Sequence, residues 1–232
     1  PKDTPDCPNG KTVGVPRALF FHELFPLWKA FFTELGFQVV VSDPTNRHII
    51  RKGVENVIEE PCFPIKATHG HVLNLLEKDL DFIFLPVQCT MEKLTDDFEK
   101  SWNCPLTQSL PFIISSSTKI KEALSSERPK VLRPVFHADR GRPWLKKVLR
   151  HLAREMGIFK ADLIDRAIRA GFQAFDAFNE WQQRRGQEVL AQLKPEEKAI
   201  VIVGRAYNTC DPGMTLNLPE KLRELGMLAI PI

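Results

Sequence analysis

Two cysteines stand just before signals for the start of a helix. Cys62 lies in EEPCFPIK and Cys104 in WNCPLTQSLPF, so Pro64 and Pro105 follow within two residues. Proline suits the first turn of a helix, because the N–H that it lacks would have no partner there. A cysteine before that turn faces free backbone N–H groups and the positive end of the helix dipole. These groups stabilise a thiolate, which can act as a nucleophile or bind zinc or an iron–sulfur cluster.

The other cysteines help to decide between a nucleophile, a zinc ligand and an iron–sulfur ligand. Cys89 follows the apolar run LDFIFLPV, and Cys7 and Cys210 complete a total of five. Scattered cysteines in odd number, without a CxxC pair, do not favour a disulfide framework, a zinc ribbon or a thioredoxin-type site. A lone cysteine most often packs as a small apolar residue, and we expect this of Cys7 and Cys210. For Cys89, packing and binding of a metal are equally favoured. Dispersed cysteines suit an iron–sulfur cluster better than zinc, so Cys62, Cys89 and Cys104 are its predicted ligands.

The segment after Cys62 adds candidates that could act on a bound cofactor. Lys66 lies one helical turn beyond Cys62 and could offset the charge of a cluster or remain solvated. His69 and His71 are two positions apart and cannot share a helix face. One of them could donate a hydrogen bond to a ligand sulfur and tune its potential, or simply cap the helix or face water. We take Lys66 and His69 as the candidate cofactor-binding residues here.

A glycine turn near the carboxyl end of the chain is a second place where a cofactor could bind. Gly204 follows the apolar run KAIVIV and opens the stretch GRAYN, which ends at Asn208. A glycine after a buried strand permits a tight turn and close backbone approach, as phosphate sites require. A plain strand-to-helix turn is the alternative, since one glycine falls short of a GxGxxG fingerprint. Gly204 and Asn208 are therefore candidate cofactor-binding residues.

Composition excludes several classes of protein. The chain has 232 residues, of which 43% are hydrophobic and 26% charged, with a net charge of +3. These values are ordinary for a globular protein and give no basic face for nucleic acid. No apolar run approaches the ~18 residues that span a bilayer, and no signal peptide is evident, so we expect a cytoplasmic location and no membrane partner.

P-loop, HExxH and GxSxG motifs are absent, so we expect none of the corresponding hydrolases.

Alternating strand-like and helix-like segments predict an α/β fold. Short apolar runs occur at 12–19, 37–43 and 80–87, and further strand candidates are PFIISSS and KVLRPVF. Such runs between helices indicate a parallel sheet covered on both faces, with ligands beyond the carboxyl ends of its strands. We predict a first α/β lobe over residues 1–140 that holds the cysteine motifs. Residues 141–232 then form long helices and the start of a second α/β lobe, which we expect to continue in a larger polypeptide.

Several stretches together resemble a known family. VGVPRALFFHELFPLWKAFFTELGFQVVVSDPTN, EEPCFPIKATHGHV, DFIFLPV, NCPLTQSLPF and IVIVGRAYNTCDPGMTLNLPEKLRELGMLAIPI cover nearly the whole chain. They are similar to the domain that follows the ATPase modules in large CoA-substrate-specific enzyme activases, and to 2-hydroxyacyl-CoA dehydratase subunits and double-cubane cluster proteins. The resemblance implies flavodoxin-like lobes with an oxygen-sensitive [4Fe-4S] or double-cubane cluster between them, in an anaerobic bacterium. Cys62 and Cys104 match the family's cysteine motifs, and Cys89 stands where a third ligand would lie.

The resemblance also implies a function. The chain would be a low-potential electron-transfer module of an ATP-driven activase or reductase, and part of that system rather than a complete enzyme. Its partners would be an ATPase activase domain or subunit and an acyl-CoA dehydratase-type acceptor, and a homodimer is compatible with the sequence. Two alternatives remain: a docking domain of the activase without a cluster, and a small-molecule domain that binds a CoA ester or nucleotide at the GRAYN turn.

Overall fold

A four-stranded parallel sheet organises the first part of the computed structural model, which describes residues 9–93, 95, 97, 101–194 and 196–232. Its strand order is β2-β1-β3-β5, and every neighbouring pair is parallel. Two further parallel pairs, β4-β6 and β7-β8, complete the described sheets. The strands are β1 (Thr12–Val15), β2 (Gln38–Val41), β3 (Phe82–Phe84), β4 (Val87–Thr90), β5 (Lys130–Leu132), β6 (Val135–His137), β7 (Lys198–Ile202) and β8 (Met227–Pro231).

Helices lie in the connections between the strands that pair within each sheet, as parallel pairing requires. They are α1 (Phe21–Glu34), α2 (Arg47–Val54), α3 (Phe63–Leu76), α4 (Pro105–Ser116), α5 (Thr118–Ala123), α6 (Gly141–Glu155), α7 (Ala161–Ala191), α8 (Ala206–Thr209) and α9 (Leu218–Glu224). The predicted α/β fold with a parallel sheet is thus confirmed. Cys7 lies outside the described residues. No helix in the described part of the chain is both long and apolar enough to cross a bilayer.

One strand prediction was wrong. The stretch PFIISSS belongs to helix α4 and not to a strand. The buried residues of α4 are Thr107, Leu110, Pro111 and Ile114, and this spacing of three and four is that of one helix face. Three serines follow the apolar residues, and each donates a hydroxyl hydrogen bond to a backbone carbonyl. For the first two the carbonyl lies three or four residues earlier, and for the third it lies in the α2–α3 loop. A run of apolar residues too short to show its period cannot by itself distinguish a buried helix from a strand.

The hydrophobic core extends beyond the first predicted lobe. Phe31, Phe32 and Phe84 are fully buried between α1 and the sheet. The first half of α7 packs against α1, where its Gly171 allows the two helix backbones to approach closely, and α6 covers an adjacent part of the core. By contrast, β7 is mostly exposed. The division into lobes at residues 140 and 141 stays a prediction.

Helices α2 and α3 cross with their backbones in contact. A Cβ atom added to Gly53 of α2 would lie 2.0 Å from the carbonyl oxygen of Lys66. A Cβ atom added to Gly70 of α3 would lie 1.9 Å from the carbonyl oxygen of Ile49. Only glycine at both positions permits this distance, so the crossing sets the position of α3 and of the residues that it carries.

The crossing makes a testable prediction about stability. Gly70→Ala should lower the free energy of unfolding by about 1–3 kcal/mol or more, because the added methyl group must push the two helices apart. Gly186→Ala is the matched control: its added Cβ meets nothing within 4 Å in α7. It should raise the free energy of unfolding by about 0.5–1 kcal/mol, the usual gain for alanine over glycine in a helix. Urea titrations of the three proteins measure both effects, and equal stability of Gly70→Ala and wild type would contradict the predicted contact.

Candidate functional site

Cys62 and Cys104 occupy the same position in two neighbouring helices. Cys62 is the N-cap of α3 and Cys104 the N-cap of α4, both with extended backbone and a proline in the following turn. The carbonyl of each accepts the first N–H groups of its helix, at 3.0 and 3.2 Å for Cys62 and at 2.9 and 3.1 Å for Cys104. Neither side chain makes a capping hydrogen bond, and both are exposed. The predicted helix starts are confirmed, and both thiols are available to a ligand.

A third segment, distant in sequence, lies beside these two helix ends. The Arg205 guanidinium donates a hydrogen bond from Nη1 to Oδ1 of Asn103, at 3.3 Å. Burial raises the pKa of Tyr207, and the nearby sulfur groups of Cys104 and Cys62 add to that rise against the opposing effect of Arg205. One tyrosine hydroxyl is therefore within electrostatic range of both cysteines. The structure brings together Cys62, Cys104 and the turn that contains Tyr207.

Cys89 has different surroundings. It lies within strand β4, and its side chain is only 9% exposed. Burial raises the pKa of the Cys89 thiol, and the neighbouring carboxylate of Asp139 raises it further. Its backbone is close to the site, because the Cys89 carbonyl accepts a hydrogen bond from the N–H of Asn103 at 2.8 Å. The role of Cys89 as a ligand stays a prediction.

His69 is buried in α3 with one ring nitrogen unpaired. Its Nδ1 lies 2.8 Å from the carbonyl oxygen of Ile65, and since a carbonyl can only accept, Nδ1 carries the proton. Burial lowers the pKa of His69, which favours the neutral ring. Its Nε2 is buried and has no hydrogen-bond partner among the described residues. In this tautomer Nε2 presents a lone pair, so it accepts a hydrogen bond and donates one only when the ring is protonated.

The other predicted cofactor residues lie in two places. The Lys66 ammonium forms an ion pair with Glu60, in the loop that precedes Cys62. Gly204 lies in the turn between β7 and the four-residue helix α8, Asn208 lies within α8, and both are exposed. Arg205 and Tyr207 belong to the same segment, so it lies beside the two cysteines. Among the described residues, no three or more His, Cys, Asp or Glu side chains are placed to bind one metal ion.

Sequence reasoning missed a buried chain of hydrogen bonds around His71. The Arg17 N–H donates to Ser42 Oγ at 2.7 Å, and Ser42 Oγ lies 2.9 Å from His71 Nδ1. On the other side, Thr45 Oγ1 lies 3.0 Å from His71 Nε2 and donates to the Asp211 carboxylate at 2.5 Å. Because the Thr45 hydroxyl has only one hydrogen, Nε2 must be the protonated nitrogen and Nδ1 the acceptor. The only available signal was the turn sequence at 211–213, which does not indicate partners.

These hydrogen bonds connect the turn at residues 211–213 to the core of the first predicted lobe. Burial lowers the pKa of His71 to about 4, so its ring is neutral at pH 7. Burial alone would raise the pKa of Asp211, but the hydrogen bond from Thr45 and the His22 ring, whose Nε2 lies 3.5 Å from the carboxylate, outweigh it and the net shift is downward. Asp211 is thus an ionised carboxylate, buried and paired, that connects the turn to α1 and to the loop after β2. The position of Tyr207 beside the cysteines depends on this connection.

Comparison with known families identifies the chain. The family model described as the CoA enzyme activase uncharacterised domain (DUF2229) matches residues 12–232. The chain therefore belongs to that family, as the sequence resemblance indicated. No curated protein and no solved structure matches the chain.

Thiol labelling tests the arrangement of the cysteines. In the native protein, iodoacetamide should modify Cys62, Cys104 and Cys210, which are exposed, and should modify the buried Cys89 about tenfold or more slowly. Peptide mapping by mass spectrometry at successive times measures each rate. After unfolding in urea under reducing conditions the rates should become similar. Fast native labelling of Cys89 would contradict its burial in β4.

The His71 environment predicts a loss of stability in mild acid. Unfolded His71 binds a proton as the pH falls below 6.5, whereas the folded form stays neutral down to about 4, so stability present above pH 6.5 is lost as the pH falls toward 4. Between pH 7 and pH 5, wild type should lose about 2 kcal/mol more of its free energy of unfolding than His71→Gln, which does not titrate. His48→Gln, at an exposed position of α2, is the control and should behave as wild type. Parallel losses in wild type and His71→Gln would refute this assignment.

Proposed function

We propose that this member of the CoA enzyme activase domain family binds an iron–sulfur cluster through Cys62 and Cys104. The single observation that carries the proposal is the pairing of two exposed cysteines at the N-caps of contacting helices, α3 and α4. An exposed thiol contributes no core packing, and neither cysteine is used to cap its helix. The commonest structural explanations for a cysteine therefore do not account for these two.

The surroundings suit a cluster better than a single zinc ion. A structural zinc ion gathers four side chains around one atom, and the described residues contain no such group. A cluster has several irons and can take thiolates that are further apart. The free N–H groups of two helix ends and the Arg205 guanidinium all favour negative charge near the sulfur atoms. Thiolates beside N–H groups and a cation suit the negative charge of an iron–sulfur cluster.

The remaining ligands of the cluster have two candidate sources. A cubane cluster needs four ligands at its irons, and Cys62 and Cys104 supply two. Cys89 is the third ligand predicted from the sequence, and a second protomer is the other source. Cys89 would need to expose a thiol that is buried in β4 and lose its proton, because only a thiolate binds iron.

Membership of the CoA enzyme activase domain family suggests the partners between which we propose that electrons flow. Bound to this chain, the cluster would supply one-electron transfer at low potential. The chain's residues would hold it at the surface, where Cys62 and Cys104 are exposed and a partner can approach. We propose that the donor is the ATPase part of the activase and that the acceptor is an acyl-CoA dehydratase-type enzyme.

Anaerobic reconstitution tests the proposal. The chain is incubated with iron and sulfide, desalted, and examined by iron analysis and visible absorption. Wild type should show the broad sulfur-to-iron charge-transfer band, and Cys62→Ala and Cys104→Ala should each lose it together with most of the iron. Cys210→Ser is the matched control, since Cys210 is exposed but lies at the end of α8 rather than before a helix. Retention of band and iron in both alanine variants would refute the proposed ligands.

The same preparation decides the role of Cys89. If Cys89 is the third ligand, Cys89→Ala should lose iron while its circular dichroism spectrum stays that of wild type. If the ligands come from a second protomer, Cys89→Ala should retain iron, and the reconstituted protein should elute as a dimer. The variants Cys62→Ala and Cys104→Ala would then elute as monomers.

The exposed apolar surface of the β7-β8 pair favours docking as a second candidate function. Ile200 and Val201 of β7 are 36% and 51% exposed, and Val203, directly after the strand, is 80% exposed. Large apolar side chains exposed close together are typical of interaction surfaces. A colourless protein that binds the purified ATPase module, and loses that binding on Val203→Asp, would support a docking domain without a cluster.

A further inference from the structure

A cleft lies between helix α4 and the loop that leads into Cys62. Its volume is about 350 Å³, within the range of small-molecule sites in proteins. Most of its lining is apolar and comes from the loop at 57–61 and from one face of α4. The apolar residues of the lining are Val57, Ile58, Pro61, Leu106 and Ile113.

His69 supplies the polar atom inside this cleft. The residue is 1% exposed and lines the cleft from α3. Its Nδ1 proton is already donated to the Ile65 carbonyl, and its Nε2 has no hydrogen-bond partner in the part of the chain that the structure describes. Buried polar atoms are nearly always hydrogen-bonded, so an orphaned acceptor at a cleft marks a place for a donor from outside the chain. That donor must be an O–H or N–H group, since Nε2 presents a lone pair.

The charges at the rim restrict the ligand further. Glu59 and Glu60 line the cleft, and among the described residues only Glu60 has an ion-pair partner, Lys66. Ser116, the other polar residue, already donates its hydroxyl to the Ile113 carbonyl at 2.7 Å. The rim is thus net negative and disfavours phosphates and carboxylates. This charge preference is opposite to that of a site for a CoA ester or a nucleotide.

We propose that the cleft binds a small, uncharged molecule with an apolar body and one O–H or N–H donor, which donates to His69 Nε2. The apolar body lies among the side chains of the 57–61 loop and α4. Ile58 and Leu106 are 62% and 37% exposed, so the ligand would also cover apolar surface that water now contacts. The inference uses neither cysteine and stands independently of the cluster.

Two probes of equal shape test the hydrogen bond. Indole and indene differ in that only indole has an N–H donor. By isothermal titration, indole should bind wild type about tenfold or more tightly than indene. In nitrogen-detected spectra of the histidine rings, indole should shift the His69 Nε2 signal and leave that of the exposed His48 unchanged. Indole-3-carboxylate should bind more weakly than indole, because the rim repels its charge.

Two variants separate binding in the cleft from loss of the fold. His69→Leu should bind indole as weakly as it binds indene, because the variant lacks the Nε2 acceptor. Ile58→Trp adds a large side chain at the mouth of the cleft from a position that is mostly exposed, so the fold is retained, and it should weaken both probes. His48→Leu is the control and should bind both as wild type does.

Three results would overturn the proposal. They are equal affinities of indole and indene for wild type, unchanged indole affinity in Ile58→Trp, and no detectable binding of either probe. Because none of these measurements uses iron, they leave the result of cluster reconstitution unaffected.

Discussion

Helix α3 is enclosed on nearly all of its faces, and the position of every candidate group follows from that enclosure. Nine of its fourteen residues are buried, including both histidines. Gly70 places its backbone against α2, Ile65 and Leu75 pack into the main core, and His71 hydrogen-bonds to the loop after β2. A helix held from all sides has little freedom to shift, because protein interiors are close-packed. Its first residue, Phe63, and the cysteine before it are therefore placed by contacts made along its whole length.

Enclosure also has a consequence for polar side chains. A histidine inside a packed helix must either find partners or remain unpaired at a cost in stability. His71 has a partner on each ring nitrogen, and the resulting chain of hydrogen bonds reaches a carboxylate 140 positions away at Asp211. His69 donates to the Ile65 carbonyl, its second nitrogen has no hydrogen-bond partner among the described residues, and the residue lines the cleft beside α4. The two residues differ by two positions in the same helix, yet only His71 has both ring nitrogens paired.

Polar contacts hold the segment at residues 204–213 beside the two exposed cysteines. Asp211 connects it to α1 and to Thr45, and Arg205 connects it to Asn103, the residue before Cys104. These contacts place Tyr207 near both exposed sulfur groups. Strand β7, which precedes this segment, is mostly exposed, and β8 is half-buried.

Local signals in the sequence determined the elements, and long-range contacts decided the site. Pro64 and Pro105 marked the two helix starts, because the signal for a helix start involves only residues within one turn. Apolar runs between helices indicated the parallel sheet, because each run lies within a single strand. The run at 111–117 was too short to reveal its helical period. The burial of Cys89, the unpaired nitrogen of His69 and the bond between Thr45 and Asp211 could not be predicted, since each depends on residues brought together only by folding. A single sequence specifies which side chains need partners, but only the packed tertiary structure decides which of them find one.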